Sequence, residues 1–282
     1  MSFLQAIIIG IVQGITELFP ISSLGHSVLL PALLGWHNIV GNEAAKESSF
    51  LAFLVGLHCA TAIALIIFYR EKWVAIIRGF FRTLGTHKVK TSDERLAWLL
   101  VVATIPAALM GLLFEHKFRT IFAKPLLAAI FLTINGVILL IGEYYRRQVK
   151  RKGATRKLAH LGYREAGVVG IAQILALFAG ISRSGITMVA GLIRGLDHED
   201  SANFAFLLAT PIILGAGLYK LPDLLGPNGD GIRAQVLVGS LAAGLTAYFS
   251  VRFLTKYFET RTLTPFAIYS LVVGGLMIIR FM

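Results

Sequence analysis

The sequence predicts an all-α integral membrane protein of about ten helical segments, set in two inverted repeats that each carry a re-entrant helical hairpin. Three observations carry that prediction. Of 282 residues, 56% are hydrophobic and only 15% are charged, and mean hydropathy is +0.74. Soluble domains are about 25% charged. Apolar stretches of roughly 15–20 residues recur along the whole chain, each able to cross or deeply enter a hydrocarbon core of about 30 Å. Polar breaks fall at matching places in the two halves.

The apolar segments read as helices near 3–19, 22–36, 50–68, 96–114, 125–142, 166–179, 185–196, 204–219, 234–251 and 265–281. The first is not expected to be a cleaved signal, because it lacks a basic start and holds Gln13 and Glu17 in its interior. A single cysteine, Cys59, excludes an internal disulfide. No linker or accessory domain is visible, so residues 1–282 read as one membrane domain, 1–142 the first repeat and 143–282 the second.

A net charge of +12 is compatible with nucleic acid, but the distribution of the charge argues against it. Lys and Arg concentrate in loops, seven in 69–95, eight in 143–165 and three in 252–264. That is the positive-inside pattern of a membrane protein, and no nucleic-acid motif accompanies it. Placing these loops in the cytoplasm puts 37–48, 115–124 and 220–233 outside and 197–203 inside.

Segments 3–36 and 166–196 are pairs with short arms, broken at the middle by Gly, Ser or Pro. Short arms favour re-entrant hairpins, whose irregular backbone is tolerated at membrane depth only against protein or a wet cavity. At an offset of 160, Gly10, Ile11, Gln13, Ile21, Ser22 and Gly25 match Gly170, Ile171, Gln173, Ile181, Ser182 and Gly185. Ala52, Phe53 and Leu54 match Ala205, Phe206 and Leu207, and Pro125 and Pro265 open the last helix of each half. The halves start on opposite sides, so the repeat is inverted, and broken helices in inverted halves point to a central site. The alternative is that small residues recur in any packed membrane helix.

The first tip runs from Gln13 to His26 through Glu17, Pro20, Ser22, Ser23 and Gly25. Gln13 and Glu17, four apart, share a helical face. A carboxylate inside a membrane segment is costly unless paired or wet, which makes it a functional candidate, with a protonated interhelical bond as the alternative. Ser23 and His26 are the material of an activated nucleophile, although Ser22 could equally cap a helix. The second tip holds Gly180, Ser182, Arg183, Ser184, Gly185 and Thr187. A guanidinium fork suits phosphate oxygens, and the hydroxyls, glycines and helix start favour an anion. Arg183 could also neutralise Glu17 in a resting ion pair that opens for substrate. Together the tips suit phosphoryl chemistry, with a nucleophile, a proton carrier, a charge clamp and a ligand for a divalent ion. His58 and Asn135 read as helix-to-helix hydrogen-bonding residues, Pro106 and Pro211 as kinks, and Asp197 to Asp200 as a solvated acidic run.

At both tips the sequence resembles the undecaprenyl-diphosphate phosphatase family, also known for bacitracin resistance. Its first signature is similar to (E/Q)-G-x-T-E-F-x-P-x-S-S-x-x-H, met here by Gln13, Gly14, Thr16, Glu17, Pro20, Ser22, Ser23 and His26. Its second is similar to P-G-x-S-R-S-G-x-T, met by Gly180, Ser182, Arg183, Ser184, Gly185 and Thr187. Gln13 stands where many members have Glu, Leu18-Phe19 inverts the usual order, and Ala179 replaces Pro.

The resemblance implies hydrolysis of undecaprenyl diphosphate to undecaprenyl phosphate and inorganic phosphate, recycling the lipid carrier of peptidoglycan synthesis. It implies a multi-pass protein of the bacterial inner membrane, surrounded by bilayer lipids, with its site opening to the outer face. It implies dependence on Mg²⁺ or Ca²⁺ near Glu17 and Gln13, and Glu17, Ser23, His26 and Arg183 as essential catalytic positions. Ser22, Ser182, Ser184, Gly185 and Thr187 would line the substrate. On that scheme Ser23 or a water attacks phosphorus, with His26 as base and then acid. No nucleic-acid partner is implied, and a homodimer is compatible with it. The competing reading is a lipid-phosphate flippase on the same scaffold, which would want Arg183 but no Ser23 and His26 pair.

Overall fold

The computed structural model describes residues 1–36, 39, 49–122, 124–226 and 229–282, without the side chains of 115–122 and 223. The expected outer loop 37–48 therefore lies, Ile39 apart, outside the described residues. Eleven α-helices occur among those described: α1 (Phe3–Thr16), α2 (Ser23–Leu33), α3 (Ser49–Phe68), α4 (Arg70–Thr86), α5 (Ser92–Phe122), α6 (Pro125–Arg151), α7 (Tyr163–Ala172), α8 (Arg183–Ile193), α9 (His198–Leu225), α10 (Arg233–Phe258) and α11 (Thr264–Phe281). Short 3₁₀ turns cover Leu158–His160 and Gln173–Leu177.

Among the described residues, six helices are long and apolar enough to cross a membrane: α3, α5 over Ser92–Phe114, α6, α9 over His198–Pro222, α10 and α11. Their outward faces are apolar. On α10, Leu237, Leu241, Leu245, Phe249 and Phe253 make an exposed stripe at helical spacing, which suits hydrocarbon and would be costly in water. The protein is a multi-pass all-α membrane protein.

The hairpin arms are short. A box at its N-terminus starts α1: the Ser2 hydroxyl accepts from the Gln5 amide at 3.2 Å, and the Ser2 amide donates to Gln5 Oε1 at 2.8 Å. Its 14 residues span about 21 Å at 1.5 Å per residue, and α2 and α8, with 11 each, span about 16 Å. None reaches across a core of about 30 Å. The segment expected at 166–179 is split, α7 giving way to the 3₁₀ turn Gln173–Leu177.

Three expectations need correction. The stretch 69–95, read as a loop, contains α4. Its Ile76, Gly79 and Thr83 are buried and face α5, while Val74, Ile77, Phe81 and Leu84 form a second, outward apolar stripe between the charges. A helix with apolar stripes set between charges in this way suits the membrane–water interface. Helix α6 continues past 142 to Arg151, with Lys150 and Arg151 in its last turn, where cations favour the negative dipole end. Helices α5 and α9 also outrun the apolar windows, and Pro106 and Pro211 lie inside them.

The helix pairings come in counterparts. Helix α1 packs on α10 as α7 packs on α5, α3 packs on α9, and α6 on α11. Gly10 and Gly170, matched at the 160 offset, sit at equivalent close approaches. A Cβ on Gly10 would meet Gly239 backbone, and one on Gly170 would come within 2.9 Å of Ala103 Cα. Only glycine lets these backbones approach so closely.

Candidate functional site

The two hairpin tips meet. Ser22 has a left-handed φ of 69° and caps α2, its hydroxyl accepting from the Gly25 amide at 3.2 Å. The same hydroxyl accepts from the Gly180 amide of the second tip at 3.1 Å. Gly180 needs to be glycine, because φ is 113° and a Cβ would lie 2.6 Å from the Leu132 nitrogen. The second tip repeats the first: Ser182 caps α8 and accepts from the Gly185 amide at 3.1 Å. Phe19 carbonyl oxygen accepts from Ser184 Oγ at 3.3 Å.

Asn135, in the middle of α6, ties the tips together. Its Nδ2 donates to the Pro20 carbonyl at 2.9 Å and to Ser270 Oγ at 3.2 Å, and its Oδ1 accepts from the Ser182 amide at 2.9 Å. One side chain thus satisfies a backbone group from each tip, as irregular backbone at membrane depth requires. Each tip leads into a helix N-terminus, that of α2 at Ser22 and that of α8 at Ser182, and such ends favour an anion.

The charged centre lies against these termini. Glu17, just past the end of α1, is buried. Arg183 Nη2 donates to its Oε1 at 2.7 Å, and Gln13 Nε2 donates to its Oε2 at 2.9 Å. Ser23 Oγ also donates to Oε2. The carboxylate comes from the first half and the guanidinium from the second, 166 residues away. Each neutralises the other, which a charge in this setting requires. Of the six buried side-chain atoms left unpartnered among the described residues, two lie at this site, Gln13 Oε1 and Arg183 Nη1. Both belong to side chains that hold Glu17, so the site keeps one acceptor and one cationic donor in reserve.

His26 is placed differently from Ser23. Its Nδ1 donates to the Ser22 carbonyl at 2.7 Å, and its Nε2 meets the Tyr269 hydroxyl at 2.8 Å, with the two rings stacked 5.8 Å apart. The hydroxyl of Ser23 is held by Glu17 instead. Of the other candidates, Ser182 and Ser184 are hydrogen-bonded to each other at 3.0 Å, and Thr187 donates to the Arg183 carbonyl at 2.7 Å. These hydroxyls hold the tip together.

Sequence reasoning left three participants out of the site. His58 on α3 places Nε2 3.2 Å from Gln13 Nε2 and 3.5 Å from Glu17 Oε2. Tyr269 and Asn135 are the others. For His58 and Asn135 the available signal was a polar side chain in an apolar helix. The acidic run is not simply solvated: Asp197 caps α9 through the Asp200 amide at 2.8 Å, and His198 pairs with buried Glu143 at 2.7 Å. Burial raises the Asp197 carboxyl, but the Asp200 amide and Lys157 ammonium outweigh it and hold the group below its ordinary value.

No cluster of three His, Cys, Asp or Glu occurs among the described residues. The oxygen set of Gln13 Oε1 and Glu17 nevertheless fits a hard cation bound mainly through substrate phosphates, which needs only one or two protein carboxylates.

Over residues 6–276 the chain matches the family described as bacitracin resistance protein BacA. It is 52% identical to undecaprenyl-diphosphatase 2 of Frankia alni, over 100% of this chain and 98% of that protein. It is 54% identical to the undecaprenyl-diphosphatase of Mycolicibacterium paratuberculosis over 98% and 96% of the two chains, and 53% identical to that of Mycobacterium avium over the same shares.

Proposed function

This chain belongs to the bacitracin resistance protein BacA family, and we propose that it hydrolyses undecaprenyl diphosphate to undecaprenyl phosphate and inorganic phosphate. The reaction recycles the lipid carrier of peptidoglycan synthesis and confers bacitracin resistance. The membrane is the bacterial inner membrane, and the site opens to its outer face. The observation that carries this reading is the convergence of Glu17, Ser23 and Arg183 from two hairpins on one buried point. The relatives named undecaprenyl-diphosphatase, similar over nearly their whole length, support the substrate.

The terminal phosphate of the substrate draws Arg183 off Glu17, whose carboxylate is then free to take the Ser23 proton. Ser23 Oγ bonds to the terminal phosphorus as the anhydride P–O bond breaks, and undecaprenyl phosphate leaves. Water then attacks the phosphoseryl group and releases inorganic phosphate, with Nε2 of His26, now held on Tyr269, as its base. Arg183, through both Nη atoms, clamps the phosphoryl oxygens where charge develops. A divalent cation, Mg²⁺ or Ca²⁺, held by Gln13 and Glu17 would supply further neutralisation of that charge.

Phosphate release from a long-chain prenyl diphosphate by the purified protein tests the reading. Metal-dependent release, abolished by EDTA, by Arg183→Ala and by Ser23→Ala with the fold intact, is expected. Rapid quench should trap phosphoserine at Ser23; its absence during turnover would transfer the attack to water. Lipid movement in proteoliposomes that survives Ser23→Ala, with no phosphate released, would replace hydrolysis by transport.

A further inference from the structure

Gln13 is fully buried, and its amide is held at both N–H positions. Nε2 is 2.9 Å from Glu17 Oε2 and 3.2 Å from His58 Nε2. A carboxylate only accepts, so the NH₂ end of the amide must face Glu17. The other N–H then points at His58. There the tautomer is fixed by a second bond: His58 Nδ1 lies 2.7 Å from the Leu54 carbonyl, which also only accepts. Nδ1 therefore donates to that carbonyl, and because Gln13 Nε2 offers only N–H, the 3.2 Å contact is a hydrogen bond with His58 Nε2 as its acceptor. A chain runs from the Leu54 carbonyl through the imidazole and the amide to the carboxylate, with every donor matched to an acceptor. What it leaves over is Gln13 Oε1, buried and unpartnered among the described residues.

A buried amide whose nitrogen is held twice and whose oxygen is held by nothing is an oriented ligand. A lone histidine on an apolar helix would ordinarily satisfy itself on the nearest carbonyl, and His58 does so with one nitrogen only. The other nitrogen lies 3.2 Å from Gln13 Nε2, 45 residues away, and at the longer distance of 3.5 Å from Glu17 Oε2. We propose that His58 is a positioning residue, which locks the Gln13 amide so that Oε1 is presented to a divalent cation in the site. The imidazole touches neither cation nor phosphate; it acts through the amide, as outer-shell partners of metal ligands do. Without it, Gln13 keeps only the bond to Glu17, about which the amide can swing and carry Oε1 away. The inference rests on the cation reading given under the proposed function.

Equilibrium Mn²⁺ binding to the purified protein without substrate, followed by electron paramagnetic resonance, tests it apart from turnover. His58→Leu, which fills similar space but accepts no hydrogen bond, should weaken Mn²⁺ about 10- to 100-fold, the usual effect of losing an outer-shell partner. His58→Gln, whose carbonyl can accept the same N–H, should recover most of that loss. Gln13→Leu should be at least as weak as His58→Leu. If His58→Leu binds Mn²⁺ like the wild type while Gln13→Leu does not, the positioning role is wrong and the cation reading stands. If Gln13→Leu also binds like the wild type, the cation reading itself fails. Should His58→Leu not fold, ¹⁵N spectra of ring-labelled histidine in the wild type decide, with His58→Gln giving the assignment. An unprotonated Nε2 on His58 is expected, and a protonated one overturns the chain of bonds on which the proposal stands.

Discussion

Replacing Arg183 by Gln removes the partner of a carboxylate that has almost no access to water, its side chain being 5% exposed against 13% for the guanidinium. Breaking a buried pair from one side costs about 3–5 kcal/mol, because it strands the other charge. Glu17 keeps Gln13 and Ser23 as donors, so the lower part of that range, about 3 kcal/mol, is expected. At about 2 °C per kcal/mol for a chain of this size, Arg183→Gln should unfold about 6 °C below the wild type. Glu17→Gln should cost a similar amount by stranding Arg183. In the double variant neither charge is stranded, and the combined loss should fall well short of the sum, with a coupling of about 2–3 kcal/mol. Phosphate release should be abolished in all three. Thermal unfolding in one detergent, beside the phosphate assay, separates the two effects. Strict additivity of the unfolding losses would show that the ion pair contributes nothing in the resting site. Near wild-type turnover by Arg183→Gln would remove the arginine from the chemistry.

Further outcomes follow from the neighbouring geometry. Asn135→Leu strands the Pro20 carbonyl and the Ser182 amide, and at about 1–3 kcal/mol for each buried group it should lower thermal stability and abolish phosphate release without touching substrate. Tyr269→Phe deletes one hydroxyl from His26 Nε2; kcat should fall about tenfold while unfolding changes by no more than about 1 kcal/mol, and an unchanged kcat would remove Tyr269 from the proton path. Asp197→Ala should cost about 1 kcal/mol as the loss of a helix cap. Because the folded carboxyl titrates below its ordinary 3.8, the wild-type advantage is complete above that pH and is lost as pH falls through the lower folded value. Unfolding scans of both proteins between about pH 2 and pH 6 should therefore converge at the acid end.

Both tips were legible because polar residues crowd into segments that are otherwise apolar. Glu17 and Arg183 stand out for that reason, and their mutual neutralisation follows from the cost of either alone. Helix α4 was hidden: its buried stripe of Ile76, Gly79 and Thr83 is interleaved with Arg70, Lys72, Arg78 and Arg82, so no apolar run marks it. The ends of α6 and α9 were hidden by the same cause, since a helix leaving the bilayer keeps its hydrogen bonds while its side chains turn polar. The network around Glu17 was only half visible. Periodicity puts Gln13 and Glu17 on one face but cannot say which helix lies opposite. His58 reaches Gln13 across 45 residues, Asn135 reaches Pro20 across 115, and Tyr269 reaches His26 across 243. The pairing of Ser23 with Glu17, not His26, depends on how the turn after Pro20 folds back, with Ser22 at a left-handed φ. No sequence period encodes that.

The exchange of arms between halves makes each half depend on residues that lie far along the chain. Helix α1 leaves the ribosome among the first residues, yet the surface it packs on, α10, begins at Arg233. Glu17 likewise waits for Arg183. A nascent chain that has inserted α3, α5 and α6 already holds three long apolar helices, but its first hairpin has neither its packing surface nor its counter-charge. Both the packing surface and the counter-charge of the first hairpin are therefore supplied by the second half of the chain. A chain cut after its first half would keep the helices of that half but lack both the surface that holds α1 and the guanidinium that neutralises Glu17.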